Sequence, residues 1–230
     1  MNDKFFEELT HKTIYFYTYT EFLATQKLEL IDTHFVKNSI EGIIDNEAIF
    51  IIIENDIFID GNLSLLELDK KLRAIGKLTS DQYIHQIWFS GKVEISNTLY
   101  DEDTEDLSTS LVFENDFKAK NIIFGGTSLF FLKQVEITQL FYTQINSEGG
   151  IYWKNAEKSV KMKVDNNQIW SIQDKHYHLG EYEIDSALLD KIFLKKDDFF
   201  FYDEDEQCYY PLEEDDKLIA YILEDKNIFN

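Results

Sequence analysis

Four segments of the chain alternate hydrophobic and polar positions in the same order. They are "IIIENDIFIDGNLSL" from Ile51, "IWFSGKVEISNTLY" from Ile87, "LVFENDFKAKNIIFGG" from Leu111 and "LFFLKQVEITQLFY" from Leu129. Each opens with three apolar residues, crosses three mostly polar ones, then alternates before another apolar pair. The first apolar residues are offset by 36, 24 and 18 positions. Two offsets are multiples of 18, and the third is 18 plus a six-residue insertion. Within the copies Ile57, Val93, Phe117 and Val135 match, and so do Ile59, Ile95, Ala119 and Ile137 two residues later. A spacing of two is the strand period. Richness in Ile, Val and Phe favours strands over helices.

A unit of about 18 residues is too short for stacked helix pairs, whose repeats need about 33 or more. It fits one coil of a β-solenoid, with short strands stacked on the matching strands of neighbouring coils. Asn55-Asp56, Ser90-Gly91, Asn115-Asp116 and Gly125-Gly126 supply turn residues for the corners. The 36-residue offset leaves room for a hidden coil with "LELDKKLRAIGKL" inserted into it. "DEDTED", Asp101 to Asp106, supplies the six-residue insertion as an outward loop. A weaker copy follows at Gly149 to Val164. The competing arrangement is an antiparallel meander in a sandwich or barrel; recurrence of register over four copies favours the solenoid.

The expectation is thus a mainly β, single-domain β-solenoid over residues 1–230. Residues 1–45 form an N-terminal cap, 46–180 the solenoid, and 181–230 an acidic, aromatic-rich C-terminal cap. Caps are needed because open strand edges otherwise pair with neighbours. "DKFFEELTHKTIYFYTYTEFLAT" combines a short helical start with an aromatic strand. "DSALLDKIFLKK" reads as a helix capped by Asp185 or Ser186, and "PLEEDDKLIAYILEDKNIF" as another with Pro211 near its start.

Composition sharpens this picture in one respect. Lys and Arg total 22 against 44 Asp and Glu, a formal net charge of -22. A surface this acidic repels nucleic acid and anionic membranes. Its natural partner is a basic protein, although acidity also confers solubility alone. The hydrophobic share of 44% excludes general disorder. Without an apolar run of membrane-spanning length, a signal-like start or a second cysteine to pair with Cys208, the chain reads as cytoplasmic.

Candidate chemistry is sparse. Glycine-rich phosphate loops, nucleophile elbows and HExxH are absent. In "DKHYHL", Asp174, His176 and His178 share one face if the segment is a strand, which is metal-like spacing without an evident third nitrogen ligand. Cys208 sits among acids that would raise its thiol pKa, which disfavours a nucleophilic role. The reading is that the protein is not an enzyme and uses no metal or cofactor. Acids interleaved with aromatic rings carry more signal. Between Asp197 and Asp216 stand ten acids and no Lys or Arg, broken by Phe and Tyr residues. The expected partner-binding residues are Asp101, Glu102, Asp103, Glu105, Asp106, Tyr202, Asp203, Glu204, Asp205, Glu206, Tyr209 and Tyr210. In them carboxylates would steer a basic partner and rings would anchor it.

The pieces "IDGNLSL" (Ile59 to Leu65), "FKAKNIIFGG" (Phe117 to Gly126) and "LFFLKQVEI" (Leu129 to Ile137) resemble the coils of bacterial β-solenoid proteins of the polymer-forming-like kind. The resemblance covers roughly residues 45–165 and 190–230. It implies an immunity protein of contact-dependent or type VI secretion toxin systems: an antidote that neutralises a cognate toxin domain by blocking a basic cleft. The alternative is a structural, self-assembling β-solenoid.

Overall fold

A computed structural model describes residues 9, 11–31, 43, 46–101, 109–124, 127–143, 151–153, 158–160, 162–165, 168–171, 196–198, 200–205, 208–211 and 216–226. The strands are β1 (Ile14–Thr18), β2 (Ala48–Ile53), β3 (Ile57–Ile59), β4 (Leu63–Ser64), β5 (Tyr83–Phe89), β6 (Val93–Tyr100), β7 (Ser110–Phe113), β8 (Phe117–Phe124), β9 (Leu129–Phe131) and β10 (Val135–Thr143). They continue with β11 (Ile151–Trp153), β12 (Lys158–Val160), β13 (Met162–Asp165), β14 (Gln168–Ser171), β15 (Phe200–Asp203) and β16 (Cys208–Pro211). Helices are α1 (Tyr19–Leu23), α2 (Leu65–Gly76) and α3 (Asp216–Leu223), with 3-10 turns at Lys27–Leu30 and Lys196–Asp198.

Two open, parallel-rich sheets hold the repeat. One runs β1-β2-β5-β7-β9-β11, the other β14-β13-β10-β8-β6-β3. The register is the one the sequence offsets demand. Ile51 lies opposite Ile87, Ile87 opposite Leu111, and Leu111 opposite Leu129. In the second sheet Ile57, Val93, Phe117 and Val135 align in the same way. The weaker copy continues the pattern, with Ile151 opposite Leu129 and Lys158 opposite Val135.

The two halves of each copy look different because the two sheets have different neighbours. In β2 all six residues are buried, whereas in β3 burial alternates. Ile49, Ile51 and Ile53 of β2, with Ile87, Phe89, Leu111, Phe113, Leu129 and Phe131 of the neighbouring strands, face the second sheet and form with it a core of Ile, Leu, Val and Phe. Phe89, Phe113 and Phe131 stack there, with successive ring centroids 5.1 Å apart and nearly parallel planes. The opposite face of the first sheet, with Phe50, Ile52, Trp88, Val112 and Phe130, packs under Phe22, Leu28 and Ile31. A strand buried on both faces reads as an unbroken apolar run, which explains the triplets. The N-terminal segment therefore does more than cap an end: α1 and the turn after it cover a sheet face, while β1 pairs antiparallel along the edge of β2.

Three expectations are corrected. The 36-residue offset hides no further coil, because β2 bonds directly to β5. The extra residues form α2, started by a Ser64 cap that accepts from the Glu67 amide. Its Leu65, Leu68 and Leu72 join the main core, and the Phe16 ring of β1 lies against Gly76. With such helices the protein is mixed α/β rather than mainly β. Pro211 ends strand β16 instead of opening a helix; the helix read from this stretch is α3, which starts only at Asp216. The expected helix over "DSALLDKIFLKK" and the glycine pair Gly125-Gly126 lie outside the described residues.

Candidate functional site

The C-terminal acidic block folds locally as a hairpin. Phe200, Phe201, Tyr202 and Asp203 of β15 pair antiparallel with Pro211, Tyr210, Tyr209 and Cys208 of β16. Aromatic residues suit such cross-strand pairing, and the polar run between them supplies the turn. The tip therefore carries Glu204 and Asp205, both exposed, beside Tyr202, which is 49% exposed. Asp203, Tyr209 and Tyr210 lie within the strands, and Glu206 lies outside the described residues. The structure thus brings together most of this predicted group.

The other predicted acidic group divides. Asp101 is buried: its Oδ2 accepts from the Thr127 hydroxyl at 2.9 Å, and its amide donates to the Ile123 carbonyl at 3.2 Å. It ties β6 to the start of the next copy and is unavailable to steer a partner, which corrects the expectation. A buried carboxylate needs donors, and Thr127 lies one copy on to provide one. Glu102, Asp103, Glu105 and Asp106 lie outside the described residues, as do Asp174, His176 and His178.

A surface that the sequence reading passed over is the solvent face of the second sheet. Alternation turns Phe58, Glu94, Lys118 and Glu136 outward at one register level. Lys118 pairs with Glu136 at 3.6 Å. One step along, Ser96 bonds Asp60 at 3.3 Å, and Lys120 pairs with Asp225 just after α3. At this level β6 and β10 each carry an extra residue relative to β8, between Ile95 and Thr98 and between Ile137 and Leu140. Such bulges bend the strands. The bend opens a shallow trough of about 450 Å³ lined by Glu94, Ser96, Lys118, Lys120, Thr138 and Gln139. Beneath it runs a buried polar ladder. Asn62 accepts from the Thr98 amide, and Asn121 Nδ2 reaches both Asn97 and Thr98 at 3.3 Å.

One cluster resembles catalytic hardware. Ser90 Oγ lies 3.1 Å from both Lys27 Nζ and Glu114 Oε1. Lys27 is itself ion-paired with Glu114 and lies 5.6 Å above the Trp88 ring. Lys27 donates to the Ser90 hydroxyl, and that hydroxyl in turn donates to Glu114. This cluster fastens the N-terminal segment to the sheet. Two phenols are held protonated above their ordinary range. Burial raises Tyr83, with Glu47 adding repulsion, and burial raises Tyr17, with Tyr15, Glu54 and Glu21 adding to it.

No family model, curated protein or solved structure matches the chain.

Proposed function

We propose that this chain is a cytoplasmic, stoichiometric immunity protein that binds a basic toxin domain and blocks its active-site cleft. The two sheets serve in that reading as the walls of a short β-solenoid whose terminal segments present the binding groups. The observation that carries it is the hairpin β15–β16, with Tyr202, Glu204 and Asp205 exposed together on a chain of net charge -22. An aromatic ring beside carboxylates anchors and orients a cationic surface, and the global charge raises the encounter rate. The remaining chemistry agrees with a binding role, since the Ser90 hydroxyl lies between a carboxylate and a paired ammonium.

Co-expression with the C-terminal domain of a toxin gene adjoining this one, where the genome holds such a gene, tests the reading. Survival of the cells and a co-purifying one-to-one complex are the expected result. Cell death despite soluble expression of this chain rejects it for that pair. Within a complex, replacing Glu204 and Asp205 by amides should weaken binding, with the loss shrinking as salt is added.

A further inference from the structure

The outward-facing ladder Phe58–Glu94–Lys118–Glu136 has one member out of character. Three copies place a charged residue at that position; β3 places a phenylalanine that is 55% exposed. Phe58 stands outside the core, with more than half of its surface exposed. Three carboxylates stand about it. Asp56 and Asp60 lie two residues to either side, just beyond the ends of β3, and Glu94 lies directly opposite on β6. Four lysines of this region are engaged: Lys12 donates to the Asp56 carbonyl at 3.1 Å, Lys92 pairs with Asp116 at 3.4 Å, Lys118 pairs with Glu136 at 3.6 Å, and Lys120 pairs with Asp225. Glu94 also lines the trough at the bulges, together with the paired Lys118 and Lys120, so the ring borders a concavity.

We infer that this face of β3 and β6 is a second docking surface for the basic partner, with Phe58 as its anchor. A lysine- or arginine-bearing segment lies across β3, its apolar side chain on the Phe58 ring and its cations against Asp56, Asp60 and Glu94. Ser96, Thr138 and Gln139 offer hydrogen bonds to whatever enters the trough. Rim charges alone would give steering without grip; an exposed ring inside them supplies desolvated contact. This inference rests on the proposed antidote role, but it places a contact on the repeat itself rather than on the hairpin.

The test uses the full chain and a short synthetic peptide of alternating lysine and leucine, blocked at both ends. Amide shifts of the isotope-labelled protein locate the peptide. The expected outcome is perturbation centred on Phe58, Glu94 and Ser96, and a loss of affinity of about fivefold or more for Phe58→Ser, in keeping with an aromatic anchor. Phe58 is a surface residue, so the variant keeps its fold, which its own amide spectrum verifies. Perturbation confined to Tyr202–Asp205 overturns the second surface while leaving the antidote role intact. Equal binding by the protein and Phe58→Ser removes the ring as anchor and overturns it too. A toxin complex that forms unimpaired with Phe58→Ser overturns the second surface while leaving the antidote role standing.

Discussion

At the residue scale the corners of the repeat are where single atoms decide the outcome. Gly91 sits beneath the Asn55–Asp56 peptide: a Cβ built there would meet the Asn55 carbonyl oxygen at 2.1 Å. The obstacle is backbone, and the Ser90 amide bond to the Ile53 carbonyl at 3.0 Å prevents the two corners from parting. Gly91→Ala should therefore cost about 1–3 kcal/mol, the usual range for forced overpacking. A lowered urea midpoint with an unchanged slope is the expected reading; an unmoved midpoint would show that the corner opens freely. Tyr83 and Tyr17 set a second residue-level expectation. Both phenols are raised above the ordinary value of 10.0 in the folded chain. Their contribution is complete below the unfolded value and is lost as pH climbs through the folded values, because the unfolded chain then holds fewer protons. Stability measured by urea unfolding should thus fall once pH passes about 10, with folded-state phenol absorbance titrating later than that of unfolded chain. Coincident titrations in the two states would remove this source of alkaline instability.

At the element scale α2 replaces what would otherwise be an open end of the core. Its apolar residues Leu65, Leu68 and Leu72 are buried among residues of both sheets, and its start is fixed by the Ser64 cap. Leu68→Ala should cost about 2–5 kcal/mol, the range for a fully buried leucine. Exchanging the whole helix for a short turn should leave a chain that self-associates, because the apolar core loses the cover of Leu65, Leu68 and Leu72. Sedimentation velocity at several concentrations measures this; a single concentration-independent species would mean that other segments close the end. The sequence made the strand registers legible because each apolar position recurs at a fixed offset and stacking needs that recurrence. Whether an offset of 36 meant one connection or two was not legible, since the 12-residue helix α2 and the turns beside it fill as many residues as a further repeat unit would. The double burial of the first sheet was visible in the triplets, but its cover comes from residues about thirty positions earlier, and no periodicity links them. The hairpin acids could be read from composition, whereas Phe58 is conspicuous only once the register sets it beside Glu94. Asp101 was misread because its burial depends on Thr127, a partner 26 residues away.

At the scale of the whole molecule, charge acts in two opposing ways, and salt separates them. A net charge of -22 pushes the folded chain apart, an effect that exposed ion pairs such as Lys92–Asp116 and Lys118–Glu136 only partly offset. Pairs of this exposure are each worth about 0–1 kcal/mol, so summed repulsion outweighs them. Raising NaCl from about 20 to about 300 mM shortens the screening length from roughly 20 Å to below 8 Å. Self-repulsion between distant carboxylates should fade first, and the thermal midpoint should rise. Over the same range, association with a basic partner should slow, because long-range attraction guides the encounter. Dissociation should change less, since the contacts proposed at Tyr202 and Phe58 would be short-ranged and partly apolar. Melting curves and stopped-flow association at matched salt concentrations measure both arms. A midpoint that falls with salt would mean that the ion-pair ladders along the sheet dominate the global repulsion. An association rate indifferent to salt would detach the acidic surface from recognition and leave it to solubility.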